Sequence, residues 1–146
     1  MSSAELDNRV RAGKLKREPP ALKELQGLRT SGERRLKDAQ LAALSFDSRF
    51  DLAYNAAHAF ALFAMRRMGY RSENRYLVFQ ALSHTAGIPA ATWRVLAKAH
   101  ERRNEVEYGG AAEEDERLLA GLIEAAQALR QAVDKMPMWI PGSPKP

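Results

Sequence analysis

Apolar positions recur along most of the chain at intervals of three and four, the spacing that places side chains on one side of a helix. The cleanest such stripe is Leu118, Leu119, Leu122, Ile123, Ala126, Leu129 and Val133. Just before it, residues 113–116 are all acidic, which suits the positive end of a helix dipole. The most apolar segment is 47–68. There Phe50, Leu52, Ala53, Ala56, Ala57, Phe60, Phe63 and Met65 cover nearly the whole circumference, which predicts a central helix. Asp47 or Ser48 would cap it and Gly69 would stop it. Its polar exceptions, Asp51, Asn55 and His58 with Tyr54 beside them, fall in one stripe.

Upstream, Thr30-Ser31-Gly32-Glu33 matches a capping box. It predicts a helix that starts at Thr30 and runs to about Leu44 over Leu36 and Leu41. A short helical stretch over 21–28 would end near Gly27. Residues 75–86 read as one helix, broken by Gly87-Ile88-Pro89. No run alternates with period two, so no strand is predicted. The sum is an all-α fold, an up-and-down helical bundle of about four main helices plus an N-terminal helical arm. Residues 1–29 form the charged arm, 30–136 the bundle, and 137–146 a proline-rich tail, extended or unstructured, that Trp139 could pin.

The helix predicted over 93–108 has an unusual face. It begins apolar with Trp93, Leu96 and Ala97 and continues as His100, Arg103, Asn104, Glu107 and Tyr108. Arg94, Lys98, Glu101, Arg102 and Glu105 fall on the opposite, solvated side. Arg103 is thus expected to point inward and Arg102 to water. Inward charge is costly unless paired, and Asp51 or Glu107 would supply the partner. The stripe Asp51, Asn55 and His58 has two readings. It is either a polar seam satisfied within the bundle or the wall of a cleft facing Arg103. Arg103 likewise either locks an interface or holds a phosphate, for which its planar fork is suited.

Composition narrows the chemistry. The 146 residues carry a net +5, with excess positive charge of +4 in residues 1–45 and +3 in 46–110, against −2 in 111–146. A polyanion site therefore belongs in the first two-thirds. Cysteine is absent, which removes disulfides and thiolate metal sites and fits a reducing compartment. His58, His84 and His100 stand in no HExxH or ExxH pattern, so no metal or other cofactor is expected. Gly-rich phosphate loops of the GxxxxGK[ST] or GxGxxG type are missing. Nothing links Ser48 or Ser83 to a histidine as a hydrolytic triad would require. The N-terminus lacks an apolar signal core, and the apolar run 59–65 is too short to span a membrane. The expected location is the cytoplasm.

Two segments carry a family resemblance. Arg49-Phe50-Asp51-Leu52-Ala53-Tyr54-Asn55-Ala56-Ala57-His58 in the central helix, and Arg103-Asn104-Glu105-Val106-Glu107-Tyr108-Gly109 closing the later one, together resemble the HEPN superfamily. The likeness is to a bacterial branch with an Arg-Asn-x-x-Glu-Tyr ending and covers roughly residues 30–135. The resemblance implies a helical bundle that dimerises, with RNA or a nucleotide as ligand. Many members are metal-independent ribonucleases acting as toxins or in antiphage defence, often beside a nucleotidyltransferase-type antitoxin. Arg103 and Asn104 match the first two places of the family motif. The sequence departs from it where the motif histidine would stand, at Tyr108, Gly109 and Gly110. Proton transfer would then fall to His100 or Tyr108, with Asp51 holding Arg103. The alternative is a non-catalytic HEPN-like module that binds a nucleotide, nucleic acid or protein, its Arg103 cluster locking a homodimer.

Overall fold

The computed structural model describes residues 3–109 and 115–137, without the side chains of Ser3 and residues 106–109. The chain is all-α, a helical bundle with one minimal strand pair. The elements are α1 (Ser3–Arg11), β1 (Lys16–Arg17), α2 (Leu22–Ala39), α3 (Phe46–Arg67) and β2 (Tyr70–Arg71), then α4 (Arg75–Gln80), α5 (Leu82–Thr85), α6 (Ala90–Gly109) and α7 (Glu116–Asp134). The predicted central helix is α3, which touches α2, α4, α5, α6, α7 and β2. Ser45, rather than Asp47 or Ser48, caps it by accepting from the Ser48 N–H at 3.2 Å. Gly69 follows its C-cap with φ +88. The Asp115 carboxylate caps α7 at 2.9 Å from the Leu118 N–H, and the stripe from Leu118 to Val133 is buried apart from half-buried Ile123.

Several sequence-based expectations need correction. Helix α2 runs unbroken through Gly27 and the Thr30–Glu33 tetrad, so no capping box forms there. Gly32 serves packing instead. A Cβ on it would lie 2.6 Å from Cε1 of Phe60, so its absence lets α2 press directly onto α3. The helix ends at Ala39, short of Leu44, and backbone N–H groups of Gln40 and Leu41 take the Lys37 and Asp38 carbonyls while side chains take two others. Arg49 Nε donates to the Ala39 carbonyl at 2.9 Å, and Gln40 Nε2 donates to that of Leu36 at 3.0 Å. Leu41 and Leu44 are consequently exposed. The helix expected over 75–86 is split at Ala81 into α4 and α5, with the Asn74 side chain capping the first.

The N-terminal arm is built into the fold. Leu6 and Leu15 are buried, and Gly13, at φ +76, turns the chain between them. Contrary to the strand-free prediction, β1 pairs antiparallel with β2, Arg17 opposite Tyr70 and Lys16 opposite Arg71. Arg66, only 1% exposed, fastens this junction. Its Nε binds Glu24 at 2.8 Å; Nη1 donates to the carbonyls of Glu18 and Tyr70 at 2.9 and 3.2 Å. Nη2 donates to the Pro19 carbonyl at 2.8 Å and meets the Glu18 carboxylate at 3.0 Å. The guanidinium thus makes four hydrogen bonds and a further ion-pair contact. Arg71 completes the cluster by binding Glu18 at 2.6 Å and also Glu24. The predicted positions of Trp139 and the tail beyond Pro137 lie outside the described residues.

Candidate functional site

The N-terminal half of α3, the start of α4 and the C-terminal half of α6 come together at one end of the bundle. Tyr54 is the pivot. Fully buried, it packs edge-on against Phe79 at 5.6 Å and stacks with His100 at 6.3 Å. Its hydroxyl lies 2.8 Å from Nδ1 of His100. On the other side of that imidazole, the Asn104 amide nitrogen lies 3.3 Å from Nε2. An amide that donates to Nε2 requires the Nδ1–H tautomer, with the Tyr54 oxygen accepting. Tyr54, His100 and Asn104 therefore form one hydrogen-bonded chain from core to surface.

Two guanidinium groups flank it. The Arg103 guanidinium sits 5.0 Å from the Tyr54 ring centre and that of Arg75 5.5 Å. Arg103 Nε also approaches Asp51 at 3.7 Å, the side chains being 34% and 62% exposed. At that exposure the ion pair contributes about 0–1 kcal/mol. Asp51 orients Arg103 at the surface; it does not neutralise a buried charge. Arg75 donates to Asn55 Oδ1 at 2.7 Å, while the Asn55 amide donates to the Asp51 carbonyl at 2.9 Å. The seam reading thus holds for Asn55, which is satisfied within the chain.

The cationic field acts on both histidines. Burial, together with Arg75, Arg103 and Arg35, pushes His58 down to about 4. Burial, with Arg103 and Arg75, also lowers His100 from its ordinary 6.5. Both imidazoles are neutral at pH 7, and a neutral imidazole is a proton acceptor. Burial pushes the Tyr54 hydroxyl up, outweighing the two arginines, so it remains protonated. His58 packs edge-on against Phe79 at 6.0 Å.

Of the residues singled out in the sequence, the structure gathers Asp51, Tyr54, Asn55, His58, His100, Arg103 and Asn104. Glu107 and Tyr108 lie on the last turn of α6, and their side chains are outside the described residues. The expectation for Arg102 fails: it is 8% exposed, its guanidinium 4.8 and 4.6 Å from the ring centres of Phe46 and Phe50. The phase of α6 explains the error. Its buried line runs through Leu96, Ala99 and Arg102, with Arg103 and His100 half-buried beside it. Taking Trp93 and Ala97 as inward had rotated the helix by nearly one residue step. A flat, weakly hydrated guanidinium between aromatic rings tolerates burial better than an ammonium would.

Sequence reading missed Arg75 and Tyr76. The signal for Arg75 was its place directly after the Asn74 cap, which fixes the side chains of the first turn of α4. Tyr76 stands 5.4 Å from Trp93 and 5.6 Å from His100, beside an open groove of about 630 Å³. Among the described residues no three His, Asp or Glu side chains converge as metal ligands, and no helix is long and apolar enough to cross a membrane. The class this geometry defines is an all-α bundle with a histidine-centred, arginine-flanked polar cluster. The chain matches no family model, no curated protein and no solved structure.

Proposed function

We propose that this chain is an RNA-directed, HEPN-like protein that works as a homodimer and cleaves a phosphodiester without a metal. The carrying observation is His100. It is a neutral imidazole held at Nδ1 by Tyr54 and touched at Nε2 by surface-exposed Asn104, with Arg103 against the same tyrosine. Arg103 and Asn104 would grip the phosphate oxygens, and Arg75 would add charge. His100 Nε2 would take the proton of the ribose 2′-hydroxyl. The 2′-oxygen then bonds to phosphorus, the bond to the 5′-oxygen breaks, and that oxygen takes a proton from water. The products are a 2′,3′-cyclic phosphate and a 5′-hydroxyl. This places His100, four residues before Asn104, in the role that the family motif gives to a histidine after the arginine.

One observation favours the alternative, a binding module without catalysis. Both nitrogens of His100 are already engaged within the chain, as in a histidine that only braces Tyr54. Incubating purified protein with end-labelled single-stranded RNA in chelator separates the two. Cyclic-phosphate ends from wild type, lost in His100→Ala and in Arg103→Ala, support cleavage. Salt-sensitive binding without cleavage supports the module. No RNA binding at low salt defeats the RNA-directed reading, catalytic or not, and equal cleavage by all three proteins identifies a contaminant.

A further inference from the structure

Beside the His100 cluster, the open groove of about 630 Å³ lies within the range of small-ligand sites, and the phosphate reading does not use it. Its aromatic wall is Tyr76 and Trp93, set edge to face at 5.4 Å, and it continues to the His100 ring 5.6 Å from Tyr76. Among the described residues, Tyr76, 38% exposed, is the one aromatic in the set of large apolar side chains that stand in solvent. Arg94 and Lys98, exposed on the outer face of α6, line the same groove, with Glu101 as the single acid among its described residues and Asn104 at the end nearest the phosphate cluster.

A flat aromatic surface with a cationic rim beside a phosphate grip is the recognition chemistry of single-stranded nucleic acid. Bases stack on the rings while the backbone tracks the positive side chains. Trp93 is half-buried and packed on the core, which fixes the platform, whereas Tyr76 leaves ring surface open. We infer that the Tyr76–Trp93 groove is a stacking subsite for one unpaired nucleobase next to the phosphate held by Arg103. A base in a duplex has both faces covered and cannot enter, so the subsite selects single-stranded RNA. Stacking tolerates any base, and the four bases bind alike. This inference rests on the phosphate-binding part of the function proposed above.

The test compares a short single-stranded RNA with the same ribose-phosphate chain lacking bases, by fluorescence anisotropy at fixed salt. Wild type should bind the base-bearing chain about ten-fold more tightly than the abasic one. Tyr76→Ala should lose that ratio while binding the abasic chain as wild type does, and Tyr76→Phe should keep it. Trp93→Phe, which preserves core packing, should keep most of it. Equal wild-type affinity for both chains would overturn the subsite and leave the phosphate grip standing. A Tyr76→Phe protein as weak as Tyr76→Ala would also overturn it, because the hydroxyl and not the ring would then be at work. Failure to bind either chain would overturn the RNA-directed reading as well.

Discussion

Replacing Arg66 tests how the arm is held. Arg66→Met keeps an apolar stem of similar length and removes five donors at once. The Glu18 and Glu24 carboxylates would be left to Arg71 alone, and the carbonyls of Glu18, Pro19 and Tyr70 would lose this donor. Breaking a buried charge pair from one side costs about 3–5 kcal/mol. Water reaching the loosened β1–β2 pair would re-satisfy the carbonyls and keep the total near that range. Against a domain stability of about 5–15 kcal/mol, the loss is a large fraction. For a chain of this length it lowers Tm by roughly 6–20 °C. Urea denaturation at pH 7, followed by tryptophan fluorescence, measures it. The pair also carries a pH signature. Burial would raise the Glu24 carboxyl, but hydrogen bonds from Arg66 and Arg71 hold it below its ordinary 4.5. The stability it contributes is therefore complete above about pH 4.5 and is lost as pH falls through the lowered folded value. Arg66→Met should flatten that part of the pH–stability curve. A variant within about 1 kcal/mol of wild type, with unchanged m-value and the same acid slope, would refute the assignment.

Gly32→Ala should destabilise the protein by about 1–3 kcal/mol, because the new methyl would meet the Phe60 ring at 2.6 Å. Gly27→Ala, five residues earlier in the same helix with nothing within 4 Å, should stabilise it by up to about 1 kcal/mol. Urea midpoints of equal sign for the two would break this account of α2. His58 titrates near 4 when folded against an ordinary 6.5, so the unfolded chain takes up its proton first as pH falls. Stability should drop between about pH 6.5 and 4, by about 3 kcal/mol at most. His58→Gln should lack that segment of the pH curve, and an unchanged slope in the variant would show that His58 is not held neutral.

What could be read from the sequence followed the range of the interactions. The circumference of α3 and the stripe of α7 are written in consecutive turns, and both came out as expected. The polar residues on α3 and α6 were identifiable because helical spacing alone sorts them onto faces, and packing then joined the faces. The failures were long-range. Gly32 looked like part of a helix start because local letters cannot reveal a phenylalanine ring 28 positions away. How the arm attaches was not legible because its anchor, Arg66, lies more than forty positions from Glu18, Pro19 and Glu24. The helical phase inferred from Trp93 and Ala97 put Arg102 in solvent, and the rings of Phe46 and Phe50 that receive it lie more than fifty positions away.

The cations behind the net charge of +5 include two clusters with different surroundings. At the arm, Arg66 and Arg71 pair with Glu18 and Glu24, and Arg17 with Asp7. Around Tyr54, Arg75 donates to a neutral amide, and Arg103 approaches an exposed Asp51 at 3.7 Å. Arg35, from α2, adds to the charge felt by His58. Arg75 and Arg103 meet where α3, α4 and α6 come together, and they add to the effect of burial in lowering both histidines. A cluster that repels the proton from two imidazoles attracts a phosphate for the same electrostatic reason. The arginines' share of that shift, which adds to burial, links the lowered His100 to the proposed ligand.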